Sequence, residues 1–212
     1  MPHVGNDVVD LRYPERVGKS RDTRFVSRVF TADERALIFS SSDADAMLWT
    51  LWAGKEAAYR VVKKYRPDIS SVPREYPVRP VGWEGGCLCR GMVETPGGPV
   101  PLRFFHGVAG SVHAVGAGRT GDLGDVGWGV EVIDDGGAAV SPADQSLLVR
   151  EALIRRLSAH TGLGAVRMEV RRLGDSRRLS PPVLFVDGRP ADVDISLSHD
   201  GRFIAYAFIT SL

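Results

Sequence analysis

The chain has 212 residues, of which 43% are hydrophobic, and its formal net charge at pH 7 is +1. This length allows one ordinary hydrophobic core or two small ones packed together. The near-neutral charge argues against a nucleic-acid partner, and no apolar run approaches the roughly 18 to 20 residues of a membrane span. We therefore expect a soluble globular protein that binds neither nucleic acid nor a membrane.

The first residues, MPHVGNDVVDLRYP, contain no basic segment followed by an apolar one, so a cytoplasmic location is expected. The two cysteines, Cys87 and Cys89, lie in the stretch GGCLCRG. A C-x-C pair without a second cluster is typical of neither a disulfide framework nor a zinc site. Both are interpreted as strand residues, with metal binding as the alternative.

The first predicted element is VGNDVVDL, residues 4–11, a short β-rich run that contains two acids. TADE, residues 31–34, is a capping box, in which a threonine hydroxyl and a glutamate carboxylate satisfy backbone N–H groups, so a helix should begin near residue 32. A second helix is predicted from about Asp45 to Tyr65, because the residue before Pro67 resists helical geometry.

The next region, from about residue 76 to 118, has β-like runs broken by glycine and proline. Residues 116–127, GAGRTGDLGDVG, contain five glycines and no apolar period, which predicts a linker or a long turn. Near the end of the chain, DISLSHDGRFIAYAFI, residues 194–209, alternates and then becomes apolar after a turn, which predicts a hairpin.

The pattern of the first half returns after the linker, and this repeat organises the chain. The matched segments are GNDVVD (5–10) with GVEVID (129–134), KEAAYR (55–60) with REALIRR (150–156), and FHGVAGSVHAVGA (105–117) with SHDGRFIAYAF (198–208). The spacing agrees, with 50 residues from Glu56 to His106 and 48 from Glu151 to His199. An internal duplication is therefore predicted.

The fold class that follows is α+β, with two similar halves related by a pseudo-twofold axis. Each half should be a long helix packed on a small antiparallel sheet. The expected units are an N-terminal half, residues 1–118, a linker, residues 119–127, and a C-terminal half, residues 128–212. Duplication removes the reason to form a larger oligomer, so a monomer is expected.

Glu56 lies on the border of the apolar face of the second helix, on a stripe with Trp52 and Tyr59. A carboxylate partly removed from water is costly unless it is paired, hydrogen-bonded or bound to a metal. Arg60, four residues later, offers an ordinary helical salt bridge. The metal alternative depends on Asp7, which a short strand could project towards the helix, because Mg²⁺ takes one or two protein carboxylates and completes its shell with water and phosphates.

Ser198 and His199 stand at the mouth of the predicted hairpin and could donate to phosphate oxygens. Adjacent residues on a strand point to opposite faces, so the two do not form a nucleophile–base pair. A plain turn is the structural alternative for this segment.

The segment from Arg12 to Arg28 carries an uneven charge. Its basic residues are Arg12, Arg16, Lys19, Arg21, Arg24 and Arg28, against Glu15 and Asp22. Such a cluster is either a solvated face or a docking surface for an acidic partner.

Four stretches together, GNDVVDL, RFVSRVFTADE, WAGKEAAYR and ISLSHDG, resemble the 4′-phosphopantetheinyl transferases. The first half is most similar to the small holo-acyl-carrier-protein synthases. The duplicated layout is similar to the larger surfactin-synthetase-activating type, in which two such halves form one monomer. The resemblance covers nearly all of residues 1–70 and 183–210. It implies transfer of the phosphopantetheine arm of coenzyme A to a serine of a carrier protein of fatty-acid, polyketide or nonribosomal-peptide synthesis.

The same resemblance implies roles for single residues. Asp7 and Glu56 match the family's Mg²⁺ ligands, Lys55 matches the basic residue before that glutamate, and Ser198 with His199 matches the pair that contacts coenzyme A phosphates. Lys55 and Arg60 would add positive charge for the transfer. Carrier proteins are usually acidic around the modified serine, which favours Arg12, Arg16, Arg24 and Arg28 as their docking residues.

Two departures from the family pattern bear on function. Arg60 replaces a common lysine and cannot act as a general base, which keeps open a degenerate module that binds coenzyme A or a carrier without chemistry. In the opposite pseudo-site, which would use Glu131, Glu151 and His106, Phe105 replaces the serine. That second site is predicted to be inactive.

Overall fold

The computed structural model describes residues 2–107, 109–118, 123–133, 140–173 and 180–210. Within these ranges the chain forms a mixed α+β fold whose paired strands are antiparallel. No helix there is both long and apolar enough to cross a membrane.

The first half is a five-stranded sheet covered by helices. Its elements are β1 (Val4–Asp10), α1 (Thr23–Val29), α2 (Ala32–Ser40), α3 (Ala44–Tyr65), β2 (Val78–Glu84), β3 (Cys87–Val93), β4 (Val100–Gly107) and β5 (Ser111–Ala117). The strand order is β1-β5-β4-β3-β2. Helix α3 packs on β1 and β5, and its buried side supplies much of the main hydrophobic core.

Local signals set the bounds of the helices. The capping box is present, with Thr31 Oγ1 accepting from Glu34 N and the Glu34 carboxylate accepting from Thr31 N, so the predicted start of α2 is confirmed. The predicted α3 is also confirmed, with Asp43 as its N-cap and Arg66 as its C-cap. Helix α1 was not predicted; Asp22 caps it by accepting from the amide of its third residue, Phe25.

The second half contains β6 (Gly127–Val132), α4 (Pro142–Thr161), β7 (Met168–Arg172), β8 (Pro182–Val186), β9 (Arg189–Pro190), β10 (Val193–Asp200) and β11 (Phe203–Thr210). One sheet has the order β10-β11-β6 and the other β7-β8-β9. Gly127, expected in the linker, is the first residue of β6. Of that linker, residues 119–122 lie outside the described residues.

The two halves share a chain order. In the first, β1 pairs with β5, which pairs with β4; in the second, β6 pairs with β11, which pairs with β10. A long helix follows the first strand in both halves. The internal duplication and the pseudo-twofold relation between the halves stay predictions.

The halves meet where β1 lies beside β10, a contact we call the seam. Strand β1 is at the edge of its sheet, so its outward N–H groups need acceptors from elsewhere. Side chains of β10 supply them, and the pairs are Val4 N with Asp194 Oδ2 (2.7 Å), Asn6 N with Ser196 Oγ (3.0 Å) and Asp10 N with Asp200 Oδ2 (2.9 Å). Lys64 of α3 joins both strands by donating to Asp194 Oδ2 and Val4 O.

Candidate functional site

A groove of about 430 Å³ lies at the seam, between α3, α4 and β10. Its lining side chains from α3 are Glu56, Tyr59, Arg60, Lys63 and Lys64; from α4, Ser146, Val149 and Arg150; and from β10, Ser196, Leu197, Ser198 and His199. Arg172 and residues 180–182 complete the wall. Five of these side chains are lysine or arginine and one is acidic, so the groove suits an anionic ligand.

Asp7 reaches the seam because β1 lies against α3. A Cβ at Gly5 would collide with the carbonyl oxygen of Ala57, so glycine there permits the close approach of strand and helix. The Asp7 side chain is buried, and its pKa is raised to about 7, chiefly by burial. Arg60 lowers that pKa, and the nearby charge of Glu56 raises it. The two carboxylates predicted from the sequence therefore lie close enough to interact.

Glu56 is half-buried in the groove wall. Burial raises its pKa, and the charge of Arg60 partly opposes that rise. The ordinary helical ion pair does not form: Arg60 instead donates to Asp7 Oδ1 at 3.0 Å and to Leu197 O at 2.7 Å. Within the described part of the chain, no hydrogen bond engages the Glu56 carboxylate, which leaves it available to a cation.

His199 comes to the same groove from the other half of the chain. It is half-buried, and its pKa is lowered by burial and then by Arg60, Arg150 and Arg172, against the opposing effect of Asp200. The pKa of Arg172 is lowered by burial and then by the charges of Arg150 and Arg60. Three cations thus lie close enough to interact around His199.

Ser198 lies beside His199 in the groove lining. Its Oγ accepts a hydrogen bond from Asn6 Nδ2 at 3.0 Å across the seam, so its own proton is free to donate. The structure therefore brings Asp7, Glu56, Arg60, Ser198 and His199 to one place.

The structure corrects the role that was expected for Lys55. Its side chain is 1% exposed and points into the core, where Nζ lies 2.7 Å from Glu34 Oε1 and 3.0 Å from Tyr76 O. One position along a helix turns the side chain by about 100°, so the neighbour of the groove-facing Glu56 faces inwards. Lys55 therefore balances the buried capping-box glutamate, and the expected contact with ligand phosphates is wrong.

The groove cations Lys63, Arg150 and Arg172 were missing from the expected site. Lys63 follows Arg60 by three residues on one helical stripe, a signal that could have found it. Arg150 begins the REALIRR repeat and could have been found through that match. Arg172 ends β7, and nothing local in the sequence indicates that it reaches the groove.

The basic segment is only partly available to a partner. Arg12, Arg24 and Arg28 are exposed, as a docking surface requires. Arg16 is held internally, 2.7 Å from Asp200 Oδ1 and with its guanidinium 4.6 Å from the centre of the Trp49 ring. Arg16 therefore stabilises the seam. We expect it to contribute less to docking than Arg12, Arg24 and Arg28.

The opposite pseudo-site is not assembled as a binding centre. Glu131 pairs with Arg155 at 2.8 Å, Glu151 is exposed, and His106 Nε2 lies 2.9 Å from Leu88 O. Phe105 stacks on Trp128 with ring centroids 3.8 Å apart. A cavity of about 600 Å³ is lined by Phe105, His106 and Trp128, but neither Glu131 nor Glu151 is among its lining residues.

The cysteines lie on β3, as the sequence analysis interpreted them, and both are free thiols. Among the described residues there is no group of three or more His, Cys, Asp or Glu side chains placed to hold a metal ion. A cation in the groove would therefore have at most the two carboxylates, Asp7 and Glu56, as acidic ligands.

Comparison with known proteins supports one assignment. The model of a family described as the 4′-phosphopantetheinyl transferase superfamily matches residues 3–67, which run from β1 through α3. A search of curated proteins finds no match.

Proposed function

We propose that this chain, whose residues 3–67 match the model of the 4′-phosphopantetheinyl transferase superfamily, transfers the phosphopantetheine arm of coenzyme A to a serine of a carrier protein. In this reaction the serine hydroxyl oxygen attacks the phosphorus next to the pantetheine. The bond from that phosphorus to the bridging oxygen breaks, and adenosine 3′,5′-bisphosphate leaves. The hydroxyl proton passes to a base.

The observation that carries the proposal is the meeting of two acids and a histidine across the seam. Asp7 and Glu56 come from the matched domain, and His199 comes from the other half, outside the match. Arg60 bridges the halves by bonding both Asp7 and Leu197. A site of this kind needs both halves of one chain, which supports the proposed monomer.

The carboxylates fit a hard divalent cation. Asp7 and Glu56 offer oxygen atoms, which Mg²⁺ prefers. Burial raises the pKa of both acids, and the charge of Glu56 further raises the pKa of Asp7. We propose that these two residues hold Mg²⁺. The ion would neutralise charge on the pyrophosphate of coenzyme A.

The chain's own cations would bind and orient the substrate. Arg60, Arg150 and Arg172 all act on the pKa of His199, so three positive charges meet in this part of the groove. A ligand with a pyrophosphate and a further phosphate carries several negative charges, which would offset that positive charge. Phosphoryl transfer depends mostly on such positioning and charge stabilisation.

The carrier would dock beside the groove on the exposed basic residues Arg12, Arg24 and Arg28. An acidic carrier surface would be attracted at long range by this cluster. Carriers of fatty-acid, polyketide and nonribosomal-peptide synthesis are the candidates.

Mass spectrometry of an apo carrier incubated with coenzyme A, Mg²⁺ and the full chain tests the proposal. We expect a gain of one phosphopantetheine arm on one serine. Absence of this gain on all three classes of carrier would overturn the assignment as a transferase.

A second candidate is a module that binds coenzyme A or a carrier without chemistry. The bond from Arg60 to Asp7 favours it, because an arginine occupies one carboxylate oxygen that a metal would use. Calorimetry separates the two functions: Mg²⁺-dependent coenzyme A binding without turnover supports the binding module.

A further inference from the structure

Asn6 lies behind the groove and contacts two serines that line it. Its backbone N–H donates to Ser196 Oγ and its side-chain Nδ2 donates to Ser198 Oγ, each at 3.0 Å. Asn6 is 0% exposed and is not among the lining residues. One buried residue therefore holds two groove hydroxyls from the side away from the groove.

The direction of these hydrogen bonds decides what the hydroxyls can do. A serine hydroxyl carries one proton and two acceptor lone pairs. Because both Oγ atoms accept from Asn6, both protons remain to be donated. Among the described residues neither proton has a protein acceptor, so the groove is where they find one.

His113 sets the orientation of the Asn6 amide. Its Nε2 lies 3.1 Å from Asn6 Nδ2, and an amide donates only through its nitrogen. His113 is 1% exposed, and burial lowers its pKa to about 3, so the ring is neutral; in the tautomer with its proton on Nδ1, Nε2 accepts from Asn6 Nδ2. The amide nitrogen is thus directed at both His113 and Ser198.

We infer that Asn6 is a positioning residue that presents the hydroxyls of Ser196 and Ser198 as paired hydrogen-bond donors to an anionic oxygen of the ligand in the groove. The identity of that ligand, a pyrophosphate, rests on the proposed function. The arginines and lysines of the groove attract the anion, and the two hydroxyls orient it by donating hydrogen bonds. Neither Asn6 nor Ser196 was predicted from the sequence to take part in the site.

Calorimetric titration of the full chain with inorganic pyrophosphate and with coenzyme A, both with Mg²⁺, tests this inference. The variants are Asn6→Leu, Ser198→Ala, the double variant that combines these two, and Ser196→Ala. The control is Ser27→Ala, at an exposed position of α1. Each serine substitution should weaken binding about tenfold, and Asn6→Leu about fivefold, because a hydrogen bond to a charged group is lost or loosened. The control should bind like the unchanged chain.

The double variant distinguishes positioning from a general structural effect. If Asn6 acts through Ser198, Asn6→Leu has little further effect in the Ser198→Ala background. Equal weakening in both backgrounds, or unchanged binding by both serine variants, overturns the inference. If Asn6→Leu does not fold, the two serine variants, which each remove a single hydroxyl, decide the result.

Failure of the proposed function can be distinguished from failure of this inference. Transfer of the arm with no coupling between Asn6 and Ser198 would remove the inference alone. Coupled pyrophosphate binding without transfer to any carrier would remove the proposed transferase alone. An unchanged chain that binds neither pyrophosphate nor coenzyme A would overturn the inference.

Discussion

At the scale of single residues, Lys55 and Glu56 show how one helix divides charge between core and groove. Lys55 is buried and paired with Glu34, whereas Glu56 faces the groove beside Arg60 and Asp7. A buried charge needs a partner or its cost destabilises the fold. The buried pair of Lys55 and Glu34 is therefore structural. Glu56, which is half-buried and has no hydrogen-bond partner among the described residues, is the functional candidate.

Glu56→Gln tests that division. The amide keeps the shape of the side chain and removes one ligand charge, so we expect transfer activity to fall at least about a hundredfold, as loss of a key electrostatic contact does, while the melting temperature changes little. Carrier modification followed by mass spectrometry and thermal unfolding measure the two effects. Normal turnover by this variant would assign Glu56 to structure alone.

At the scale of elements, α1 connects the basic segment to the rest of the fold. Arg24 and Arg28 are four residues apart, so they share one face of the helix, and both are exposed. The opposite face buries Val26 and Val29 in the core. The sequence did not predict this helix, because its Asp22 cap and two buried valines give only a short and weak helical signal.

Charge reversal on α1 tests the docking surface. Arg24→Glu with Arg28→Glu should raise the KM for an acidic carrier about tenfold or more, because two attractive contacts become repulsive, and should leave coenzyme A affinity unchanged. Reversal of exposed Arg79, which lies on β2 and pairs with Glu94 at the surface, is the control. An unchanged carrier KM would place docking elsewhere.

At the scale of the whole molecule, the seam couples folding to pH through buried groups. His113 has a pKa lowered to about 3 by burial, against about 6.5 in an unfolded chain. Between these values the unfolded state binds more protons than the folded state. The effect of His113 on the free energy of unfolding is therefore absent above about pH 6.5, and it lowers that free energy increasingly as pH drops towards 3. Asp7, with a pKa raised to about 7, acts in the opposite direction as pH rises.

His113→Gln isolates this effect. Glutamine can still accept from Asn6 but does not titrate, so between pH 6 and 4 the free energy of unfolding should fall less steeply than in the unchanged chain, by up to about 1.4 kcal/mol per pH unit. Urea unfolding without metal at several pH values measures the slope. Parallel slopes would mean that His113 is protonated in the folded chain.

Elements with local signals could be predicted from the residues alone. The capping box at Thr31 and Glu34, the helix that ends before Pro67 and the final hairpin depend on neighbours within a few residues, so their bounds could be predicted. The meeting of Asp7, Glu56 and His199 was anticipated through the repeat and the family resemblance. Tertiary contacts, by contrast, bring Arg60 to Asp7 and place Asn6 and Arg172 at the site. The contacts of Arg60 and Asn6 depend on which residues of β10 lie along the edge of β1, a contact between residues about 190 positions apart that local spacing does not encode.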